Sequence, residues 1–393
     1  MILTIGDYNI QDRCSGCFAC MNSCPTHAIE MIKNKEGFYY PVINDELCVK
    51  CGKCEKVCSA ISQPELTVNA PKAYSFQADD SIRDKSSSGG FFYCLATYVM
   101  KQGGTVFGAR FNPQTKEVEH TSTNVVSLDE LLRSKYVQSR IGDTFLSVQH
   151  ELKIGKLVLF AGTPCQIYGL KAFLKKDYDN LITMDFVCHG VPSSEYFRDW
   201  LMSLEKENES EIVDVTFREK DNGWRKQVIK VYFANKTQKT MKSSSYYYYN
   251  YFLQSVTLRK SCFHCAFPEN HYSDITVKDY WEIVDDDNRG VSAITINTNK
   301  GEQIVSSFVG EEFKLIPFSS ISNGFIRHDK INSYRRYKRI REFYMSKYAK
   351  HGFEKTVKKY NWITDLTLQI IGTIRTCGGK IKILVKRKVN PGA

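Results

Sequence analysis

Cysteines dominate the chemistry available to this chain. Eight of its 14 lie in the stretch from Cys14 to Cys58. They fall as Cys14, Cys17, Cys20 and Cys24, then Cys48, Cys51, Cys54 and Cys58. Each group repeats the run C-x2-C-x2-C-x3-C, the ligand arithmetic of two 4Fe-4S clusters held by four thiolates each. The x2 spacings let three thiolates of one loop converge on one cubane. Where two such runs share a module, the fourth cysteine of each crosses to the other cluster. The expected sets are therefore Cys14, Cys17, Cys20 and Cys58 for one cluster, and Cys48, Cys51, Cys54 and Cys24 for the other.

Two blander readings compete, a disulfide framework and paired zinc sites, because C-x2-C also serves zinc. Disulfides need an oxidising compartment, and Met1 opens neither a positive n-region with an apolar run nor a cleavage site, so no secretory signal is expected. Zinc needs no third x2-spaced cysteine in each run. The surroundings also resemble bacterial-type ferredoxins, with Pro25-Thr-His-Ala-Ile-Glu30 after Cys24 and Gly37-Phe-Tyr-Tyr-Pro41 before Cys48. Ser59 stands where the second run usually carries proline.

The thiols must be positioned by the rest of a 393-residue chain. That length predicts a small cluster domain and a larger one. No stretch approaches the roughly 20 consecutive apolar residues of a membrane-spanning helix, and a cytoplasmic location is expected. The net charge of +11 is uneven. From Arg327 onward there are 18 basic residues against 4 acidic ones, whereas the first 326 residues hold 36 against 39. A nucleic-acid binder would spread positive charge over its folded body, so nucleic acid is not an expected partner.

Residues 63–71 carry two prolines and no apolar periodicity, and they read as a linker between a cluster domain over 1–62 and a domain starting near Lys72. Ser86-Ser-Ser-Gly-Gly90 precedes an apolar run of helical length, Phe91 to Met100. Small residues at a helix N-terminus suit a phosphate or flavin, although capping and turn roles are the commoner use. Thr105–Asn112 and Glu117–Thr123 read as paired strands. Lys156–Ala161 and Leu181–Val187 each read as a strand running through a tight loop into a helix, which places Cys165 and Cys188 at strand ends, where open α/β sheets bind ligands. Strands over 213–217 and 227–233 are expected to supplement that sheet. The tyrosines of 246–251 read as core or as a pocket wall.

Cys165 and Cys188, with Cys262 and Cys265, make another set of four thiolates. They suffice for a third 4Fe-4S cluster, while buried hydrophobes, a zinc site and a redox dithiol stay open.

In order, Ser88-Gly-Gly90, Ser134-Lys-Tyr-Val-Gln-Ser139, Gly162-Thr-Pro-Cys-Gln166, Val187-Cys-His-Gly-Val-Pro-Ser193, Phe217-Arg-Glu-Lys220 with Gly223-Trp224, Cys262-Phe-His-Cys265 and Asp274-Ile-Thr-Val-Lys-Asp279-Tyr-Trp281 resemble the beta subunits of coenzyme F420 hydrogenases and dehydrogenases. The resemblance spans about residues 1–285; Lys278 departs from an expected glycine, and the basic tail lies outside it. It implies FAD and a third 4Fe-4S cluster in the larger domain, the latter on Cys165, Cys188, Cys262 and Cys265. It also implies a flavin pocket contributed by Ser87, Ser88, Gly89, Gly90, Lys135, Tyr136, Gln138, Ser139, Gly162 and Thr163, in which side chains added at Gly89 or Gly90 would crowd the flavin. The implied fold class is α+β: an N-terminal bacterial ferredoxin-like domain, a larger mixed α/β flavin-binding domain over 72–326 and a basic helical tail over 327–393.

Clusters pass single electrons and deazaflavins pass hydride, so an enzyme joining them needs a group stable in both forms, as flavin is. The expected function is an oxidoreductase linking a ferredoxin-like carrier or partner subunit to a small hydride donor or acceptor. Lys135 and His189 are the candidates for charge stabilisation, with a structural hydrogen bond as the alternative for His189. An electron-transfer or assembly subunit without its own substrate is the competing function, and a nucleic-acid-associated iron-sulfur protein is a third. In the tail, Val357, Tyr360, Trp362, Ile363, Leu366, Leu368, Ile370 and Ile371 followed by Lys380, Lys382, Lys386, Arg387 and Lys388 suit either packing on the domain or peripheral contact with the inner membrane face.

Overall fold

The structure is a computed structural model. It describes residues 5–61, 72–226, 228–242, 247–267, 271–283, 286–307, 313–317 and 328–370, with side chains from 337 onward in the last segment. The expected linker over 63–71, Ile371 and the cations from Lys380 onward lie outside the described residues.

The N-terminal module pairs one antiparallel hairpin, β1 (Ile29–Lys33) and β2 (Tyr39–Ile43), with two short helices, Ala19–Asn22 and Lys53–Lys56. Its two cysteine runs fold alike. Gly16 and Lys50, each just before a cysteine, take positive φ, and so do Phe18 and Gly52, which start the two helices. These left-handed residues turn the backbone so that successive thiols face one point.

The larger domain is built on one sheet. Its strands are β3 (Lys72–Phe76), β4 (Thr105–Asn112), β5 (Glu117–Ser122), β6 (Val158–Ala161), β7 (Leu181–Phe186), β11 (Ile275–Asp279), β12 (Ser292–Ile296) and β13 (Phe313–Ile316), in the order β13-β3-β12-β11-β7-β6-β4-β5. The centre, β4-β6-β7-β11, is parallel, and the flanks are antiparallel. β6 and β7 are nearly continuous apolar runs because both of their faces are covered. One face carries helix Phe91–Lys101, through Phe91, Leu95 and Val99. The other carries helices Thr144–Lys153 and Pro164–Leu174, whose far sides receive the cysteine module through Ile5, Phe18 and Ala19.

The strands after residue 210 differ from expectation. β8 (Ile212–Glu219), β9 (Val228–Phe233) and β10 (Gln238–Lys242) form a separate antiparallel sheet instead of extending the main one. Their apolar faces pair with helices rather than with β5. Phe217, Ile229 and Val231 share an aromatic core with Trp200, Tyr248 and Tyr251, and Trp200 and Tyr248 stack at 4.7 Å. Helix His328–His351 enters the same core through Ile340, Tyr344, Met345 and Tyr348, so the start of the basic tail belongs to the packed body. No helix among the described residues is long and apolar enough to cross a membrane.

Candidate functional site

Inside the N-terminal module Cys14, Cys17 and Cys58, with Cys54 after them, lie close enough to Cys20 to act on its charge. The Cys20 thiol is driven well above its ordinary pKa, by burial first and then by Cys17, Cys14 and Cys58. Burial, then Cys17, also pushes Cys58 up to about 12. A multiply charged cation that took all four as thiolates would offset the repulsion among them. Cys24, Cys48, Cys51 and Cys54 line one small cavity with Pro25, Thr26 and Gly52. Cys24 crosses from the first run to reach it. Burial raises the Cys24 pKa, but hydrogen bonds from Thr26, Ala28 and Ile29 outweigh it and bring it below its ordinary value, with Ala28 N at 3.2 Å from Sγ. Cys51, on the outer edge of this set, is exposed.

Cys165 opens helix Pro164–Leu174, which is fixed by Pro164 and by a reciprocal cap between Thr163 and Gln166. Its thiol is pushed far up by burial, then by Cys188, Cys265 and Cys17. Cys262 adjoins the same place: a Cβ built on Gly190, two residues after Cys188, would lie 3.2 Å from the Cys262 Cβ. The influence of Cys17 on Cys165 places this set next to the first.

A cavity of about 580 Å³ opens at the C-terminal ends of β6, β7 and β11, bounded by Ala161, Cys188 and Asp279. Both volume and position suit a cofactor. Ser87, Ser88 and Gly90 line one side, where helix Phe91–Lys101 begins without a side-chain cap, leaving backbone N–H groups for an anion. Lys220 holds this loop by donating to the carbonyls of Arg83, Ser88 and Arg289 at 2.6, 3.2 and 2.6 Å. Buried Arg218 is paired with Asp279 at 2.7 Å on the cavity wall, a guanidinium balanced by its carboxylate, and Lys135 is a further basic group there. Burial lowers the Lys135 amine to about 7. Tyr136, Tyr249, Phe252 and Trp281 supply aromatic walls. The lining fits a group with a flat ring system and an anionic end, which is the shape of FAD.

Residues 155–318 match the family model for the C-terminal part of the coenzyme F420 hydrogenase/dehydrogenase beta subunit, and residues 13–60 match the 4Fe-4S dicluster domain. Residues 155–318 carry the C-terminal region of that beta-subunit family. A stretch of 61 residues is 41% identical to an uncharacterised polyferredoxin-like protein of Methanocaldococcus jannaschii, covering 14% of this chain. The chain spans 36% of the length of that relative. A solved chain of the F420-reducing NiFe hydrogenase complex from Methanosarcina barkeri is similar at TM-score 0.47 and 17% identity, over 70% of this chain and 93% of that one.

Of the expected pocket and charge-stabilising residues, Ser87, Ser88, Gly90, Lys135, Tyr136, Ser139, Gly162, Thr163 and His189 all border the large cavity. Two expected pocket residues do not. Gly89 points away, into the sheet, and a Cβ there would lie 2.2 Å from the Phe76 carbonyl oxygen and 2.6 Å from Ser292 N. Its small size serves backbone packing, not the approach of a cofactor. Gln138 turns to the cysteine module, donating to Ser15 O at 2.9 Å and accepting from Arg259 at 3.1 Å. His189 Nε2 lies 3.0 Å from Phe252 O, the structural hydrogen bond of its alternative reading.

Sequence reasoning missed His120, Arg218 and Trp281 as cavity residues. His120 stacks on Phe160, and burial lowers its pKa to about 4, so it is neutral, with Nε2 at 3.0 Å from Ala161 O. Arg218 carried a signal, a charged residue directly after Val215-Thr-Phe217 and before Glu219 in a strand pattern. His120 carried none.

Proposed function

We propose that this chain is an iron-sulfur flavoprotein oxidoreductase that exchanges electrons between an external one-electron carrier and a hydride-type small molecule, with FAD in the large cavity and 4Fe-4S clusters on three thiol sets. One observation carries the reading: the sets and the cavity stand in series. The Cys24 set faces outward at Cys51. The Cys14 set abuts helix Pro164–Leu174 at Gly169, and the same helix begins at Cys165, whose neighbour Cys188 borders the cavity.

When bound, clusters carry single electrons and FAD converts between single electrons and hydride. The chain's own residues do the rest. The loop Ser87–Gly90 and the helix after it offer N–H groups to an anionic end, while Lys135 faces the cavity with charge that favours an electron-rich ring. The aromatic walls offer flat faces for it to pack against. The exposed edge at Cys51 suits docking of a ferredoxin-like carrier or a partner oxidoreductase subunit, in keeping with the beta-subunit description of the family.

The test is anaerobic purification with iron, sulfide and flavin analysis, followed by a screen of reduced deazaflavin and reduced nicotinamides. The expected result is bound FAD and bleaching of flavin and cluster absorption by one hydride donor. A protein that loads iron yet binds no FAD and accepts electrons only from one-electron donors is an electron-transfer subunit, and the proposal fails.

A further inference from the structure

The guanidinium of Arg259 is fully buried, yet among the described residues it meets no carboxylate. Nε donates to Cys14 O at 2.6 Å and Nη2 to Tyr39 O at 2.7 Å, with Cys14 Sγ at 3.5 Å from Nη2. Nη1 donates to Gln138 Oε1 at 3.1 Å. The rings of Tyr40 and Phe38 sit 4.3 and 5.4 Å from its central carbon. Removing a charge from water without a counter-charge is strongly unfavourable. Its neighbour in space, Arg341, shows the ordinary solution. Arg341 is equally buried and donates to Leu258 O at 2.8 Å, but it is paired through two nitrogens with Glu36.

The chain makes room for Arg259 on purpose. A Cβ at Gly16 would lie 2.9 Å from Nη1 and 2.7 Å from Gln138 Nε2, so the loop between Cys14 and Cys17 is hollowed where the guanidinium enters. Arg259 also begins the segment that ends in Cys262 and Cys265.

We infer that Arg259 is a positioning residue for the site of Cys14, Cys17, Cys20 and Cys58, where its charge is balanced by the anionic cluster and raises that cluster's reduction potential above what the thiolates alone would set. The inference rests on the proposal that this set holds a 4Fe-4S cluster. A nearby cation and a hydrogen bond to a ligating sulfur both favour the more negative, reduced state.

The experiment is a redox titration of the anaerobically prepared full chain followed by electron paramagnetic resonance, comparing wild type with Arg259→Met, Arg259→Lys and Gln138→Leu. Arg259→Met should lower the midpoint of one cluster and leave the others in place. Arg259→Lys should restore most of the shift, and Gln138→Leu should give a smaller shift of the same sign. Should Arg259→Met fail to retain its iron, the other two variants carry the test. Unchanged midpoints in iron-replete variants, or equal shifts in every cluster, overturn the role of Arg259. A Cys14→Ser, Cys17→Ser double variant that keeps all its iron instead overturns the cluster assignment beneath it.

Discussion

Gly169 lies directly on Cys17: a Cβ at Gly169 would stand 3.1 Å from both Cβ and Sγ of that cysteine. A helix of the larger domain thus touches a ligand-bearing loop of the cysteine module with nothing between them. At this contact a hydrogen atom is the only side chain that fits without displacement.

Gly169→Val should force the module and helix apart by more than the few tenths of an ångström that alanine would need. We expect a lower melting temperature, and slower re-reduction of one cluster by another after photoreduction, with Gly169→Ala intermediate. Rapid-mixing or flash kinetics on iron-replete protein measures this. A Gly169→Val protein with wild-type transfer rates would show that the contact is not on the electron route.

The cysteine sets predict stoichiometry. Anaerobic protein should contain about 12 iron atoms per chain, four for each set of four thiolates. A Cys262→Ser, Cys265→Ser double variant should lose about a third of that iron and keep the resonances of the other two clusters. Cys24→Ser should perturb the same cluster as Cys51→Ser, and Cys58→Ser the same as Cys14→Ser. Grouping of Cys24 with Cys14 would instead mean that the fourth ligands do not cross.

Lys135 gives two pH dependences of opposite sign. Its folded pKa near 7 lies below the ordinary 10.5, so between those values the unfolded chain holds a proton that the folded chain has shed. Fold stability attributable to this group therefore rises with pH from about 7 to 10.5. FAD affinity should fall several-fold as pH climbs past about 7, because the cavity loses a cation. Lys135→Met should flatten both profiles. Titrations by fluorescence quenching and denaturant melts from pH 6 to 10 check this, and matching wild-type and variant profiles would remove Lys135 from the site.

Glu36→Gln removes the carboxylate that pairs with fully buried Arg341. Breaking such a pair from one side costs about 3 kcal/mol. Because Glu36 is in the module and Arg341 in the C-terminal helix, denaturant unfolding should show both regions losing protection together in hydrogen exchange. Loss confined to residues 328–370 would mean that the ion pair does not couple them.

The C-terminal helix over 353–370 divides its apolar side chains. Phe353 is buried and Val357 and Leu368 pack on the aromatic core, while Trp362, Leu366 and Ile370 are 64, 49 and 52% exposed, one turn apart each. We propose that this exposed stripe, with Lys355, Lys358 and Lys359 beside it, rests on an anionic lipid surface. Trp362→Glu with Leu366→Glu should abolish salt-sensitive co-sedimentation with phosphatidylserine vesicles while leaving the melting temperature within a few degrees. Equal binding by wild type and variant, or none by either, rejects the contact.

Local pattern carried much of this structure. The strands at Val158 and Leu181, the capped helix at Pro164 and the doubled cysteine runs each announce themselves within about ten residues, because hydrophobic period, proline and x2 spacing act locally. What pattern did not carry was distance. Nothing near Arg259 says that it reaches Cys14, 245 positions earlier. Nothing near Gly89 says that Phe76 and Ser292 crowd it from behind, so a glycine that looks like a ligand cradle is a packing requirement. Gln138 sits among true cavity residues, and its side chain leaves them because backbone register at one position decides which side it faces.

The two cysteine runs share a backbone, and the difference between them gives the module a fixed way round. Lys50 occupies in the outer run the place that Gly16 holds in the inner one, with the same positive φ but an exposed side chain. A lysine at the Gly16 position would set its cation against the Arg259 guanidinium, which lies 2.9 Å from where a Cβ would stand there. The internal duplicate thus works as a keyed plug: Gly16 leaves space for a side chain of the larger domain and Phe18 fills a place in its core, while Lys50 and Gly52 at the equivalent positions belong to the outer end.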